Sequence, residues 1–364
     1  MKRYGFIYSK VYDPDNLKLA MRKASLGKRN QKRVKKVLCN ADGYAEKLCR
    51  MLRDKDYQPS TPQIRIINDG ASGKKRTIYK PNFYPDQIIH WALMLQLEPM
   101  IMHGMYAYSC GSIPGRGTSY AQKALRKWID NDRRNTKYCL KMDIHKFYPS
   151  IDNAILKQRF RRLIKDPDCL WLTDKIIDSN IGQPIGFYTS QWFANFFLQD
   201  LDHFVKERLG IKYYVRYVDD LVMLGPNKKK LHRVREAITE YLAGIKLQIK
   251  DNWQVFRLDC RDIDFLGIRF YRDKSILRKR NSLRIRRRVN KIRQKRRLNY
   301  ADACAVISYW GWMKRTDSYR FYHDAIKPVV SAKLARKVVS INVRYYPKRD
   351  FSAELGQTGR IQTY

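Results

Sequence analysis

Early in the chain, apolar residues recur at helical spacing, first at Leu17, Ala20 and Met21 and later at Ala45, Leu48, Cys49 and Leu52. This predicts two basic helices between about Asn16 and Asp56. The pattern then turns to alternation at Ile64 and Ile66, passes a polar stretch from Asn68 to Gly73, and resumes from Lys74 to Ile78, which reads as a hairpin with a mobile cationic tip. Helical spacing returns from Asp86 to Met102, where Ile88, Ile89, Ala92, Leu93, Leu97 and Met100 form an apolar face ending near Gly104. The short apolar run from Tyr138 to Met142 reads as a buried strand that stops at Asp143 and leads to Phe147 and Tyr148. After a Gly-rich entry at residues 182–186, Thr189 or Ser190 is expected to cap one long helix bearing Phe193, Phe197, Leu201, Phe204 and Leu209. Two further strands, Tyr213 to Arg216 and Leu221 to Leu224, flank a turn at Tyr217-Val218-Asp219-Asp220. Strands and helices mix around one sheet, so the expected class is α+β.

The last third differs. From Lys274 to Arg297 there are thirteen Lys or Arg and no acid, above an apolar helical face of Ile285, Val289 and Ile292. That pattern predicts a basic helical appendage. Past Lys348 the chain is polar and aperiodic, and is expected to be poorly ordered.

Charge narrows the partners. Across 364 residues, 75 Lys and Arg face 34 Asp and Glu, a formal charge of +41 that would repel itself without a polyanion. Nucleic acid is the expected one, with an affinity that falls steeply as salt rises. The run from Lys28 to Lys36 reads as a solvated helix face and is expected to touch phosphate. Charge alone gives binding and no chemistry, and a structural RNA-binding protein would show it equally. Seven Cys lie scattered without a C-x-x-C pair, which suggests neither a zinc site nor a disulfide framework. The amino terminus lacks the apolar core of a signal peptide, and no run is long and apolar enough to span a bilayer. The expectation is a soluble protein of the reducing cytoplasm, with no membrane partner.

Three carboxylates carry the chemistry: Asp143 at the end of one apolar strand, and Asp219 and Asp220 at the turn between two others. An isolated Asp-Asp pair reads most simply as a turn. Carboxylates gathered at the rim of one sheet, however, raise each other's pKa unless a cation neutralises them, and hard oxygen donors suit Mg²⁺. Two such ions fit phosphoryl transfer, one at a primer 3′-hydroxyl and one at the triphosphate.

In this company, Tyr217-Val-Asp-Asp220 resembles the Y-x-D-D signature of reverse transcriptases, and Asp143 with Phe147-Tyr148 resembles their first catalytic strand. Other motifs follow in the family's order. Arg76-Thr-Ile-Tyr-Lys-Pro81 is similar to the fingertip motif, Gly111-Ser-Ile-Pro-Gly-Arg-Gly117 to the F-R-P-G-R segment, and Asp264-Phe-Leu-Gly267 to the primer-grip hairpin. The resemblance covers about residues 40 to 270 and implies a right-hand polymerase with an antiparallel palm sheet and a helical basic thumb. Its expected domains are fingers in 1–135, a palm in 136–273 with a fingers segment inserted at about 154–180, and a thumb and tail in 274–364. The resemblance further implies that Asp143, Asp219, Asp220 and the Ile144 carbonyl hold two Mg²⁺. Lys74, Lys75 and Arg76 would clasp the dNTP, and Tyr148, or Phe147 beside it, would lie under the sugar and exclude a 2′-hydroxyl. Arg116, Arg278, Lys279, Arg280, Arg286, Arg287 and Lys291 would touch template and primer. Lys250 stands near the family's general-acid lysine and is a candidate for that role.

One motif departs from the common form. Most similar reverse transcriptases carry Q-G-x-x-x-S-P where this chain has Ile185-Gly-Phe-Tyr-Thr-Ser-Gln191. The I-G-x-x-x-S-Q form resembles the enzymes of diversity-generating retroelements. Ile185, Gly186 and Gln191 would then border the nascent pair, and an apolar Ile in place of Gln offers no polar hold, which loosens selection. That resemblance implies cDNA made from a template-repeat RNA with errors at adenines, serving mutagenic retrohoming in a bacterial or phage-encoded system. The implied partners are the template RNA, the RNA/cDNA duplex, dNTPs and an oligomeric accessory variability protein. About a hundred residues follow Gly267, room for a thumb but not for an endonuclease or RNase H domain. A group II intron maturase, a retron or phage-defence reverse transcriptase, and a non-catalytic RNA-binding scaffold of the same fold are the rival expectations.

Overall fold

A computed structural model of the chain describes residues 3–68 and 75–345. Lys74 with the rest of the expected hairpin tip, and the segment past Lys348, lie outside the described residues. The chain divides into two compact units, Met1–Arg116 with Tyr138–Val255, and Gly117–Lys137 with Phe256–Tyr364.

The first unit opens with the helices Tyr8–Val11, Pro14–Ala24, Lys32–Cys39 and Ala41–Arg53. Where two helices are predicted after Asn16, three form. Gly27 takes a φ of 73° between the first and second of these, and Asn40 leaves helical geometry to accept a hydrogen bond from the Gly43 N–H at 3.3 Å, capping the third. Leu17, Ala20, Met21, Ala45, Leu48 and Leu52 are buried, as their spacing predicts. Strands β1 (Gln63–Asn68) and β2 (Lys75–Lys80) pair antiparallel as the expected hairpin, with Ile67 opposite Arg76. The helix Ile88–His103 buries Ile88, Ile89, Ala92, Leu93 and Leu97, as the spacing predicts, and also Met94 and Ile101, while Met100 is only half-buried.

The central sheet contains β3 (Ser109–Cys110), β4 (Tyr138–Asp143), β5 (Tyr213–Tyr217), β6 (Asp220–Gly225) and β7 (Gln254–Arg257), in the order β3-β5-β6-β4-β7. The antiparallel palm sheet that the resemblance implies is not what forms. β6 is antiparallel to both β4 and β5, but β3 runs parallel to β5, with Ser109 opposite Arg216. The sheet is therefore mixed, and a two-residue strand is too short to leave a period in the sequence. The single helix predicted after residue 189 is also broken, into Tyr188–Phe197, Gln199–His203 and a wider turn at Phe204–Arg208. Leu198 interrupts it at φ −98° and ψ 4°. The capping position is Phe187 rather than Thr189 or Ser190, whose hydroxyls are buried and make no hydrogen bond among the described residues.

In the second unit, β8 (Ile263–Phe265) and β9 (Ile268–Phe270) form a hairpin whose two turn residues, Leu266 and Gly267, have φ of 50° and 85°, the left-handed pair that a tight hairpin needs. β10 (Ser275–Leu277) joins β9. The helix Thr118–Asn131 is tied to this sheet through Arg126, which donates to the carbonyls of Tyr271 and Arg272 at 2.9 Å each. Four helices follow, Lys279–Arg293, Tyr300–Met313, Tyr319–Ala325 and Ala332–Tyr345. They share a separate core that includes Ile285, Val289 and Ile292, the face predicted from the spacing. Among the described residues, no helix is long and apolar enough to cross a membrane.

Candidate active site

The acidic site is built by strand register. β4 and β6 are mostly apolar, burying Cys139, Leu140, Met142 and Leu221 to Leu224, and each carries an acid at the shared rim, Asp143 as the last residue of β4 and Asp220 as the first of β6. Asp143 lies directly opposite Asp220 across the β4–β6 pair, which brings two side chains 77 positions apart in the chain to adjacent places on one rim. Tyr217 pairs with Asp220 across β5 and β6, so Val218 and Asp219 are the two residues of the turn. Ile144 N–H donates to the Asp219 carbonyl at 3.1 Å, fastening the end of β4 to that turn. The first catalytic candidates are thus brought together.

Lys250 joins them. Its N–H donates to the Asp143 carbonyl at 2.9 Å, and its ammonium pairs with the Asp143 carboxylate. Each side chain is about one-third exposed, 29% for Lys250 and 31% for Asp143. Two bonds align this segment beside β4: the Lys250 link and the His145 N–H donating to the Gln248 carbonyl at 2.7 Å.

The turn carboxylates are under electrostatic pressure. Burial first, and then the Asp143 carboxylate, raise the Asp219 pKa above its ordinary value, while Lys250 and Arg76 pull it back. Asp220 is pushed up to about 7, chiefly by burial; Lys141 opposes the shift, and Asp143 and Asp219 add to it. Asp220 Oδ1 is buried without a hydrogen-bond partner among the described residues. A buried carboxylate oxygen in that state costs free energy unless a donor or a cation reaches it.

A divalent cation would meet that need. Among the described residues, no group of three or more His, Cys, Asp or Glu side chains is already gathered as a metal cage. The donor chemistry nevertheless fits Mg²⁺: three carboxylates of hard oxygen at one rim, one with an orphaned oxygen and one holding an ammonium that a stronger cation would displace.

Around the rim, the other candidates are distributed unevenly. Phe147 is 2% exposed and belongs to the core, whereas Tyr148 is half-buried and lies near the acids. Burial and then the Asp219 carboxylate push the Tyr148 phenol up to about 12. Arg76 is exposed on β2, and its charge reaches Asp219; Lys75 is exposed beside it. Ile185 accepts from the Tyr79 N–H at 2.8 Å, so the I-G-F-Y-T-S-Q segment docks on the same hairpin. Gly186 has a φ of 120°, and a Cβ there would meet the Tyr79 carbonyl oxygen at 2.3 Å. Gln191 lies in the helix that follows, its carbonyl accepting from Asn195 at 3.0 Å.

The predicted nucleic-acid contacts divide into two kinds. Arg116 turns inward and donates to the Tyr106 carbonyl at 3.0 Å, and Arg278 grips Asp264 at 2.8 and 2.6 Å. Lys279, Arg280, Arg286, Arg287 and Lys291 are exposed on the helix Lys279–Arg293, with Arg286 also lying over the Phe321 ring. Sequence reasoning overlooks Arg216, Asp202, Asn195 and Lys141. The one signal for Arg216 is a charge inside an apolar strand directly before the acidic turn.

The chain has relatives among known proteins. The family model for reverse transcriptase (RNA-dependent DNA polymerase) matches residues 67–270. The chain is 30% identical over 197 residues to the retron Ec73 reverse transcriptase of Escherichia coli, covering 49% of this chain and 59% of that enzyme. It is 24% identical over 308 residues to the protein YkfC of Escherichia coli strain K12, covering 71% of this chain and 78% of that protein. The chain thus spans 59% of the length of the retron enzyme. Among solved structures, telomerase from Candida albicans aligns with a TM-score of 0.47 at 13% identity, covering 60% of this chain and 46% of that one.

Proposed function

This chain belongs to the reverse transcriptase family, the RNA-dependent DNA polymerases, and from that premise we propose that it is a right-hand polymerase copying RNA into DNA within a diversity-generating retroelement. Fingers fall in 1–135 and about 154–180, the palm in the rest of 136–273, and the thumb in 274–364. The observation that carries the reading is Asp143 paired in register with Asp220 beside Asp219, with burial and mutual repulsion raising both turn carboxylates.

Asp143, Asp219, Asp220 and the Ile144 carbonyl would hold two Mg²⁺, which when bound supply positive charge at the primer 3′-oxygen and at the leaving pyrophosphate. Lys250, whose ammonium pairs with Asp143, would give a proton to the leaving pyrophosphate. Arg76, with Lys74 and Lys75, clasps the triphosphate, a task suited to the guanidinium fork. Tyr148 lies under the sugar and excludes a 2′-hydroxyl, and Phe147 supports it from the core. Ile185, Gly186 and Gln191 border the nascent pair. Exposed cations on Lys279–Arg293 hold backbone phosphates of template and primer.

The retroelement reading is supported by the joint replacement of Gln by Ile185 and Pro by Gln191. In it, the template is a template-repeat RNA, the product is cDNA with errors at adenines for mutagenic retrohoming, and the partner is an oligomeric accessory variability protein. A second reading, a retron enzyme, is favoured by the 30% identity to the retron Ec73 reverse transcriptase. Extension of a primer on RNA with dNTPs and Mg²⁺, followed by sequencing of the cDNA, separates them. Errors concentrated at template adenines, lowered by Ile185→Gln, support the retroelement; accurate copying of all four bases favours the retron. Absence of extension would sink the polymerase reading.

A further inference from the structure

Arg216 is fully buried on β5, immediately before the acidic turn. A buried guanidinium must satisfy five N–H groups, and all its acceptors here lie within the first unit. Nε and Nη2 hold the two carboxylate oxygens of Asp202 at 2.8 and 2.6 Å, and Nη2 also reaches Ser109 Oγ at 2.7 Å. Nη1 donates to Asn195 Oδ1 at 3.2 Å and to the Val218 carbonyl at 3.0 Å. Asp202 is itself fully buried and also accepts from the Tyr214 hydroxyl at 2.7 Å.

The bond to Val218 has the largest consequence. Val218 takes a φ of 57°, a region that β-branched residues avoid, so the turn needs restraint from outside. It is held on both sides: its N–H donates to the Cys110 carbonyl at 3.0 Å, and its carbonyl accepts from Arg216. The Val218 carbonyl shares a planar peptide unit with the Asp219 N–H, so fixing it fixes the plane from which the Asp219 side chain departs. Asn195 extends the constraint, donating to the Gly111 and Gln191 carbonyls at 3.0 Å each.

We propose that Arg216 is a positioning residue: through the Val218 carbonyl it sets where Asp219 stands, and through Asn195 it ties that position to the helix bearing Gln191. The inference rests on the polymerase reading of Asp219. A merely structural ion pair is the alternative, and the two part company when the pair is removed whole. Replacing a buried ion pair by apolar residues of similar volume leaves stability intact, whereas removing one partner strands a buried charge. Neither change restores a donor to Val218.

The test uses the full chain as wild type, Arg216→Met, the double variant Arg216→Met with Asp202→Leu, and Asn195→Leu. Three readouts are taken: the melting temperature, hydrogen exchange of the peptide spanning Arg216 to Leu221, and steady-state extension resolved into kcat and the KM for dNTP. Arg216→Met should melt well below wild type and the double variant should recover. The double variant should nonetheless exchange about tenfold faster at the turn and lose kcat on the order of 100-fold, with KM unchanged. Asn195→Leu, which cuts the outward link, should raise exchange at the turn by a smaller factor and carries the test should the double variant not fold. Wild-type exchange at the turn in both of these variants would overturn the inference. Exchange is read without catalysis, so it decides the inference even where wild type fails to extend, a result that would count against the polymerase reading alone.

Discussion

Around the acidic turn, Arg216 is answered by Asp202 with both side chains at 0% exposure, and Asp143 by Lys250. Along Lys279–Arg293 in the second unit, by contrast, Lys279, Arg280, Arg287 and Lys291 stand in solvent above the buried Ile285, Val289 and Ile292. The difference lies in dielectric surroundings. Buried and partly buried charges interact more strongly and must be matched in position, while exposed ones are screened within about 10 Å at ordinary salt and act through their number. The first region should therefore fail when one atom changes, and the second should weaken by small steps.

The sharpest break is Asp143→Asn. It removes a carboxylate charge at nearly constant shape, and single-turnover extension should fall by at least about 10²- to 10³-fold, the scale of losing one preorganised electrostatic contact. Circular dichroism should show the fold retained. A smaller effect is expected from Gly186→Ala, because its φ of 120° and the 2.3 Å approach to the Tyr79 carbonyl leave no room for a methyl group. It should destabilise by about 1–3 kcal/mol, read by denaturant unfolding.

Asp220 gives a test by pH. Its folded pKa, about 7, lies above the ordinary value of 3.8, so between these limits the folded state binds more protons than the unfolded one. The stability relative to Asp220→Asn should therefore be complete below about pH 4 and fall as pH rises towards 7, by at most about 1.4 kcal/mol per pH unit. Thermal melts of both proteins without divalent cation, from pH 4 to 8, measure it; adding Mg²⁺ should shrink the difference at high pH. The mildest changes belong to the basic helix. Arg280→Ala or Arg287→Ala should each weaken RNA binding a few-fold and lower the slope of log affinity against log salt by about 1, with kcat unchanged. If one of them abolished extension, the contrast between the two regions would fail.

Legibility in the sequence follows the same division. The ends of β4 and β6 are readable because apolar runs that stop at an acid mark both the strand and the site, and the basic helix is readable from Ile285, Val289 and Ile292. The pairings are not readable. Asp202 answers Arg216 across 14 positions and Lys250 reaches Asp143 across 107, and separations of that kind carry no periodic signal. An arginine within an apolar strand looks like a surface position until its carboxylate is found. The break at Leu198 is hidden because apolar spacing continues across it from Phe197 to Leu201, while the parallel strand Ser109–Cys110 is set by its pairing with β5 rather than by its own two residues. Phe147 and Tyr148 are equivalent aromatic neighbours by spacing, and only burial separates them.

We propose that the carboxylates meeting at the rim of β4 and β6 perform metal-dependent DNA synthesis. Single-turnover extension of a primed RNA template, titrated with Mg²⁺ for wild type and Asp219→Asn, tests it most directly. The expected result is Mg²⁺-dependent extension by wild type and none above background by the variant at any Mg²⁺ concentration. Extension by Asp219→Asn at the wild-type rate would contradict the account.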